Sequence, residues 1–421
     1  MPLPQIDSVG IAAPSKGKRG REKYSAPKPS NRRPLPFSNI IPWSFVVVVI
    51  LLVGFGLVVC WSAVQGYERY SFTRQAAGVC AGLILMAIVW AFDYRKLAGA
   101  FVPLLVITVV LILSPHLPVI GVTTMGATSW INIGTQIQPG EFAKVTVVLF
   151  ASSLVARYGG KLDDFKEYCK VVGLLAIPFL CIMTQPDLGT GLVYMFIAAT
   201  VLIMGGARAK YIIATIVLLI AVIAAVFFVD EFLKYETDDG TIEYRLLKNY
   251  QRKRLFVFMN QGNADYSSDA YNLQQAMIAI GSGGLFGKGL GSSTQSSLGF
   301  LPEAPTDFIF CVLAEELGFV GVLVLIALYA SLVFVCIRIA RSCGNLFGML
   351  IVCAIVGMWL FQILENIGMC CGLMPITGIP LPFVSYGSSF MVVNFIMLGL
   401  IGSVYCHESK LGRGMQYGSA R

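Results

Sequence analysis

Ten separate runs of largely apolar residues recur along this chain, each long enough or nearly long enough to cross a lipid bilayer. They fall at 40–63, 75–92, 97–114, 141–157, 169–184, 188–206, 210–229, 308–337, 345–369 and 383–406. A stretch of about 20 apolar residues spans the hydrocarbon core as an α-helix. A water-soluble core cannot hold so many: 56% of the 421 residues are apolar and 13% charged, against about 45–50% and 25% in a soluble domain. The first run is too long for a signal-peptide core and lacks a convincing cleavage site, so it is expected to remain as a span. Trp43 and Trp61 bracket it, as interfacial aromatics do. The expected fold is an all-α polytopic membrane protein of about ten transmembrane helices. It comprises a disordered basic tail at 1–36, a membrane domain at 37–406 and a short tail at 407–421.

Charge sets the expected orientation. Lys16, Lys18, Arg19, Arg21, Lys23, Lys28, Arg32 and Arg33 precede the first run against only Asp7 and Glu22. Alternate connections repeat the bias: Arg95 and Lys96; Arg157, Lys161, Lys166 and Lys170; Arg208 and Lys210; Arg338 and Arg341; Lys410, Arg413 and Arg421. The positive-inside rule then places both termini in the cytoplasm. The net charge of +8 reports topology and contact with anionic lipid, not nucleic acid. Eleven cysteines form no C-x-x-C pair, and only two histidines exist, so a zinc cluster is not expected. Most of these cysteines sit in apolar runs, where they pack as small hydrophobes.

One long segment, about 230–306, lies on the outer side. Within it Ala270, Leu273, Met277 and Ile280 recur at helical spacing, which predicts an amphipathic helix lying at the interface. The run Gly281–Gly291 is glycine-rich around Lys288, but it is not a Walker A: Ser282 stands where the first glycine would fall, and Gly289 follows the lysine. It reads either as a turn or as a cradle for some other phosphate. Leu301-Pro-Glu-Ala-Pro-Thr-Asp307 leads straight into the eighth run and sets Glu303, Thr306 and Asp307 at its outer mouth. Asp307 is either a helix cap or a general base or metal ligand facing a lipid-borne substrate. Glu315 and Glu316 lie about two turns deeper, and acids inside a membrane are functional candidates. Glu141 and Lys144, at i and i+3, can pair on one helical face. Asp187 stands in an acidic break between the fifth and sixth runs, Gln362, Glu365 and Asn366 make a polar stripe in the ninth, and Ser385 closes a rigid Pro- and Gly-rich connection. Polar groups thus converge on the outer half of the bundle, which suits a lipid-linked polar headgroup or a transport path.

Taken together these strings resemble the SEDS proteins (shape, elongation, division and sporulation), the RodA/FtsW group of peptidoglycan polymerases. The resemblance covers about 40–406. It is carried by Gly126-Ala-Thr-Ser-Trp130, Gln138-Pro-Gly-Glu-Phe-Ala-Lys144, Gln185-Pro-Asp-Leu-Gly-Thr190, Tyr250-Gln-Arg-Lys-Arg254, Leu301 to Phe308, Thr377-Gly-Ile-Pro-Leu-Pro382 and Ser385-Tyr-Gly387. The strings at 250–255, 279–284 and 294–303 look like the RodA, or elongation, branch. Two positions depart from the family pattern: Ser129 stands where an arginine is usual before Trp130, and Ser388 where a second glycine is usual.

The resemblance implies a glycosyltransferase of the bacterial cytoplasmic membrane that polymerises lipid II into β-1,4-linked glycan. The leaving group is undecaprenyl pyrophosphate, and no nucleotide is needed. It implies a class B penicillin-binding protein as transpeptidase partner, together with elongation-complex proteins. The family's essential aspartate falls on Asp307, its Glu and Lys on Glu141 and Lys144, and its loop arginines on Arg252 and Arg254. A divalent cation (Mg or Mn) at Asp307 is an open expectation. Trp130, Asp187, Lys288, Glu303, Thr306, Glu316, Asn366 and Ser385 complete the set expected to bind substrate or line the cavity. Two rival functions fit the same residues: a lipid II flippase, and a non-catalytic scaffold that recruits the transpeptidase.

Overall fold

In a computed structural model, the described residues are 42–117, 121–124, 127–132, 136–185, 187–236, 242–243 and 268–416. The basic tail at 1–36 and the loop arginines Arg252 and Arg254 lie outside them. Ten long helices fall where the ten apolar runs do. They are α1 (Trp43–Val64), α2 (Phe72–Ala91), α3 (Phe101–Leu113), α4 (Pro139–Ala156), α5 (Phe165–Met183), α6 (Leu188–Met204), α7 (Ala209–Phe232), α10 (Ile309–Arg341), α11 (Leu346–Cys370) and α12 (Ser388–Gln416). Between α7 and α10 come α8 (Ser268–Ser282) and the single turn α9 (Thr294–Ser297). Seven of the ten are long and apolar enough to cross a membrane. α3 and α6 are shorter, and α5 carries Lys166, Glu167 and Lys170 in its first two turns. The chain is a multi-pass membrane protein.

Local sequence explains where several helices start. Pro139 opens α4, where its missing N–H costs nothing, and Glu141 follows in the first turn against the helix dipole. Asp164, Asp187 and Asn345 cap α5, α6 and α11 by accepting backbone N–H groups. One difference from expectation lies at the C-terminus. The last helix does not stop at 406 but continues to Gln416, because no Pro intervenes to end it. The connections also add small sheets to the helical frame. The strands β1 (Gly121–Thr124), β2 (Ala127–Asn132) and β3 (Gln136–Ile137) pair antiparallel, with Val122 opposite Trp130 and Ile131 opposite Ile137. β4 (Tyr235–Glu236) and β5 (Ile242–Glu243) pair as a short ribbon.

α4 is the axis of the bundle. Nearly all of its residues are buried, among α3, α5, α6, α11 and α12. Helix α7 is its opposite: only Asp230 is buried, and most of its Ile, Leu, Val and Phe side chains face outward. Such an apolar exterior fits lipid as the surrounding solvent. α2 and α12 approach closely through glycines, as helices in membranes often do. A Cβ at Gly78 would stand 2.8 Å from the Ser388 Cα, and one at Gly399 2.8 Å from the Met86 carbonyl.

The two ends of the bundle differ in chemistry. One end gathers the basic connections, tied by Arg208–Asp163 at 2.9 Å and by Glu408, which accepts from Tyr94 Oη at 2.6 Å and from the Gly344 N–H at 3.1 Å. At the other end the connections 65–71, 298–308 and 371–387 meet, with the start of α6 beside them.

The helix carrying Asp307 at its entrance is broken. Gly318 adopts φ 65°, ψ −165° inside α10, and the glycine-rich run is spliced into the gap. The N–H groups of Lys288 and Gly289 donate to the Glu315 and Glu316 carbonyls at 3.0 and 2.9 Å. Those of Phe319 and Val320 donate to the Gly284 and Leu285 carbonyls at 3.0 and 3.1 Å. The run therefore re-satisfies backbone groups that the break would strand in the bundle. The N–H groups of Gly287, Lys288, Gly289 and Gly291 are thereby engaged within the protein, so the run is an ordered turn that packs into the helix break.

Helix α8 also departs from the predicted stripe. Leu273, Ala276 and Ala279 are buried, whereas Met277 is 40% exposed. Two alanines let α8 pack closely on α10 and α11 instead of only floating at an interface.

Candidate active site

Asp307 sits, half-buried, one residue before the N-cap of α10, which is Phe308 and makes no side-chain capping bond. The Glu303 carbonyl accepts the N–H groups of Thr306, Asp307 and Phe308 at 3.2, 3.0 and 3.3 Å, closing the turn that leads into α10. Glu303 does this from a left-handed backbone conformation, φ 56°, which is uncommon for a residue with a side chain.

Three elements hold this turn. Asn366 of α11 donates one amide to two carbonyls, Asp307 O and Ile379 O, each at 2.8 Å. Ser385 Oγ donates to Thr306 O at 2.6 Å and accepts the Leu381 N–H at 2.8 Å. The Tyr386 N–H donates to Pro305 O at 2.9 Å. Gln75 of α2, fully buried, grips the same connection by donating to Ser385 O at 3.2 Å and accepting from the Gly387 N–H at 2.9 Å. From the third side, Tyr70 Oη donates to Glu303 Oε2, and Arg69 lies 3.6 Å from Glu303 Oε1. Burial, then the hydrogen bond to and charge of Glu303, push the Tyr70 phenol well above its ordinary value, so it stays the donor.

Gly378 closes the mouth over the carboxylate. A Cβ there would stand 3.2 Å from Asp307 Oδ2, and its φ of +76° favours glycine. The neighbouring Thr377 Oγ1 donates to Glu365 of α11. The start of α6 packs beneath, with Gly189 against Ile379. Asp187 serves that helix start: Oδ1 accepts the Thr190 N–H at 2.9 Å and Oδ2 accepts from Gln138 at 3.2 Å.

Asp307, Glu303, Thr306, Asn366 and Ser385 thus come together, from sequence positions up to 82 residues apart. Glu141 and Lys144 do not join that cluster directly. They pair with each other at 2.6 Å, both nearly inaccessible, and Lys144 Nζ lies 5.5 Å from the Phe390 ring centre at the start of α12. Trp130 is half-buried in β2, and Ser129 Oγ beside it donates to Gln185 O at 3.3 Å. Lys288 and Glu316 lie at the break in α10, roughly 12 Å along the helix from Asp307. Lys288 Nζ is held 2.5 Å from Glu315 Oε1, and Glu316 Oε1 accepts from Ser62 Oγ at 2.7 Å. The charge of Lys288 is therefore already engaged inside the bundle.

Sequence reasoning did not single out Tyr70, Gln75 or Gly378 as site residues. Tyr70 and Gln75 belong to no recognisable string and reach the site only through folding. Gly378 did carry a signal, as a glycine inside a Pro-rich connection facing the acidic mouth.

The cell cycle protein family of FtsW, RodA and SpoVE matches residues 42–410. Stage V sporulation protein E of Bacillus subtilis is 32% identical over 368 residues, covering 85% of this chain and 95% of that protein. The peptidoglycan glycosyltransferase MrdB of Escherichia coli K12 is 32% identical over 382 residues, covering 90% and 96%. Among solved structures, one described as showing structural coordination of polymerization and crosslinking by a peptidoglycan synthase complex aligns with TM-score 0.71 and 26% identity. It covers 87% of this chain and 98% of that one. The rod shape determining protein RodA of Thermus thermophilus aligns with TM-score 0.61 and 26% identity, covering 86% and 96%.

Proposed function

We propose that this chain, which belongs to the FtsW/RodA/SpoVE family, is a peptidoglycan glycosyltransferase that polymerises lipid II at the mouth around Asp307. The glycosyltransferase assignment is supported by a relative of that name covering 90% of the chain. The observation that carries the site is the placement of Asp307. Its carboxylate is half-buried under the bare face of Gly378, and its backbone is fixed by Glu303 on one side and Asn366 on the other.

In the reaction, the acceptor's sugar 4-hydroxyl oxygen attacks the anomeric carbon of the lipid-linked donor. Asp307 takes the proton from that hydroxyl, as a positioned general base. The anomeric C–O bond breaks, and its electron pair leaves with undecaprenyl pyrophosphate. A single in-line displacement turns the α-linked donor into a β-1,4 link. Arg252 and Arg254 offset the charge that builds on the pyrophosphate. Glu141 and Lys144 organise the bundle core beside the start of α12.

Among the described residues no group of three His, Cys, Asp or Glu could enclose a metal. Mg²⁺, however, is commonly held by one or two carboxylates plus substrate phosphates, and Asp307 fits that mode. Bound there, a cation would neutralise pyrophosphate charge.

The basic end of the bundle supports a cytoplasmic location for both termini in the cytoplasmic membrane. A class B penicillin-binding protein is the proposed partner, supported by the likeness to a chain from a peptidoglycan synthase complex. The elongation role and its complex rest on the strings at 250–303, since sporulation and MrdB relatives are alike at 32% identity.

The test is lipid II polymerisation by the purified chain with its class B partner, wild type against Asp307→Asn. Glycan ladders from wild type alone are expected. Equal ladders from both would move the base off Asp307, and none from either, with the complex intact and the partner known to activate, would favour the flippase.

A further inference from the structure

The connection between α1 and α2 contributes more to the mouth than its length suggests. Tyr67 Oη donates to Leu301 O at 2.7 Å, Tyr70 Oη donates to Glu303 Oε2, and Arg69 stands 3.6 Å from Glu303 Oε1. The Tyr70 ring is held edge-on between Tyr386, at 5.0 Å between ring centres, and Tyr67, at 5.9 Å. Tyr386 is itself bonded to Pro305 O through its N–H, and its Oη accepts the Ser71 N–H at 3.4 Å.

These contacts converge on one residue that has little backbone freedom to spare. Glu303 holds a left-handed conformation while its carbonyl gathers three N–H groups, that of Asp307 among them. Such a conformation persists only where surrounding contacts over-determine it, and it clusters at sites where geometry matters. The Glu303 side chain supplies those contacts, through Tyr70, Arg69 and Thr306 Oγ1, the last at 3.2 Å.

We infer that Tyr70 is a positioning residue for the polymerisation reaction, fixing the 303–307 turn through Glu303 so that the Asp307 carboxylate stays aligned. This rests on Asp307 being the base. Tyr70 feels the charge of Asp307 as well as that of Glu303, but its hydroxyl donates to Glu303. Its effect passes through the hydrogen bond to Glu303, and its ring packing is a separate contribution that a phenylalanine preserves.

The experiment compares the full chain with its class B partner as wild type, Tyr70→Phe, Glu303→Asn, the double variant and Asp307→Asn. Lipid II polymerisation is measured across substrate concentrations, with a thermal unfolding midpoint for each protein. Asparagine suits the left-handed conformation yet is too short to reach Tyr70. Tyr70→Phe is expected to lower kcat roughly 10- to 100-fold, with KM within about twofold and the unfolding midpoint nearly unchanged. The double variant should lose no more than Glu303→Asn alone, because both act on one tether. Full kcat in Tyr70→Phe, or losses that multiply in the double variant, overturns the inference. Should Tyr70→Phe not fold, Glu303→Asn decides alone: full kcat overturns the tether, and reduced kcat at unchanged KM supports it. Full kcat in Asp307→Asn removes Asp307 as base and this inference with it. An inactive Asp307→Asn beside a fully active Tyr70→Phe removes only the tether.

Discussion

Asn366 donates its one amide nitrogen to both the Asp307 and the Ile379 carbonyl, at 2.8 Å each. That single side chain therefore ties the entrance of α10 to the connection that carries Gly378 across the carboxylate. Replacing it by leucine strands two buried acceptors. Each costs about 1–3 kcal/mol, so Asn366→Leu should lower the unfolding midpoint and reduce polymerisation at equal protein. A variant with wild-type midpoint and rate would show that neither carbonyl depends on this bond.

The pair Glu141–Lys144 is buried at both ends. Removing one partner leaves an uncompensated charge in the bundle, at a cost of about 3–5 kcal/mol, whereas removing both with apolar groups of similar size can be nearly neutral. Lys144→Met should therefore reduce folded yield sharply, and Glu141→Met/Lys144→Met should restore it. Polymerisation by the restored double variant then reads out whether the pair does more than organise the core. Equal folded yields for the single and double variants would contradict the ion-pair account.

Three glycines close in sequence should behave differently. A Cβ at Gly287 would stand 2.1 Å from the Glu316 carbonyl, at φ +78°, so Gly287→Ala should dislodge the splice in α10 and abolish folded protein. Gly284 has φ +56° but open space around it, and alanine there should cost about 1–2 kcal/mol. Gly281 lies in α8 with nothing near, and alanine there should add about 0.5–1 kcal/mol. Folded yield by size-exclusion profile and unfolding midpoint would establish the order; equal tolerance at all three would refute the splice.

At the opposite end of the bundle, Tyr94 donates to the buried Glu408 at 2.6 Å. Burial, then that hydrogen bond and the Glu408 charge, push its phenol well above the ordinary value. A group raised in the folded state contributes stability that is complete below its unfolded pKa, about 10 for tyrosine, and is lost as pH rises through the folded value. Tyr94→Phe should be less stable than wild type at pH 7, by about 1–3 kcal/mol. The gap should narrow as pH rises above about 10. A gap that stays constant to pH 11 would mean the phenol contributes only by packing.

The sequence by itself determined the solvent and the frame. Ten apolar runs, the alternating basic connections and the strings at 138–144, 185–190 and 301–308 each act locally or through composition, because a helix in lipid must bond its own backbone within one segment. They placed ten helices to within a few residues in most cases and put Asp307 at a helix entrance. Only the tertiary structure decided what surrounds that aspartate. Tyr70, Gln75, Asn366 and Gly378 lie between 59 and 237 residues from Asp307 in the chain, and each contact depends on helices meeting side by side, which no local period encodes. The same reason separates the two lysines that sequence alone set beside the chemistry. Lys144 was legible as a partner of Glu141 because the pair shares one helical face. The partner of Lys288, Glu315, was not legible, because it belongs to a helix that the glycine run enters only once the bundle has closed.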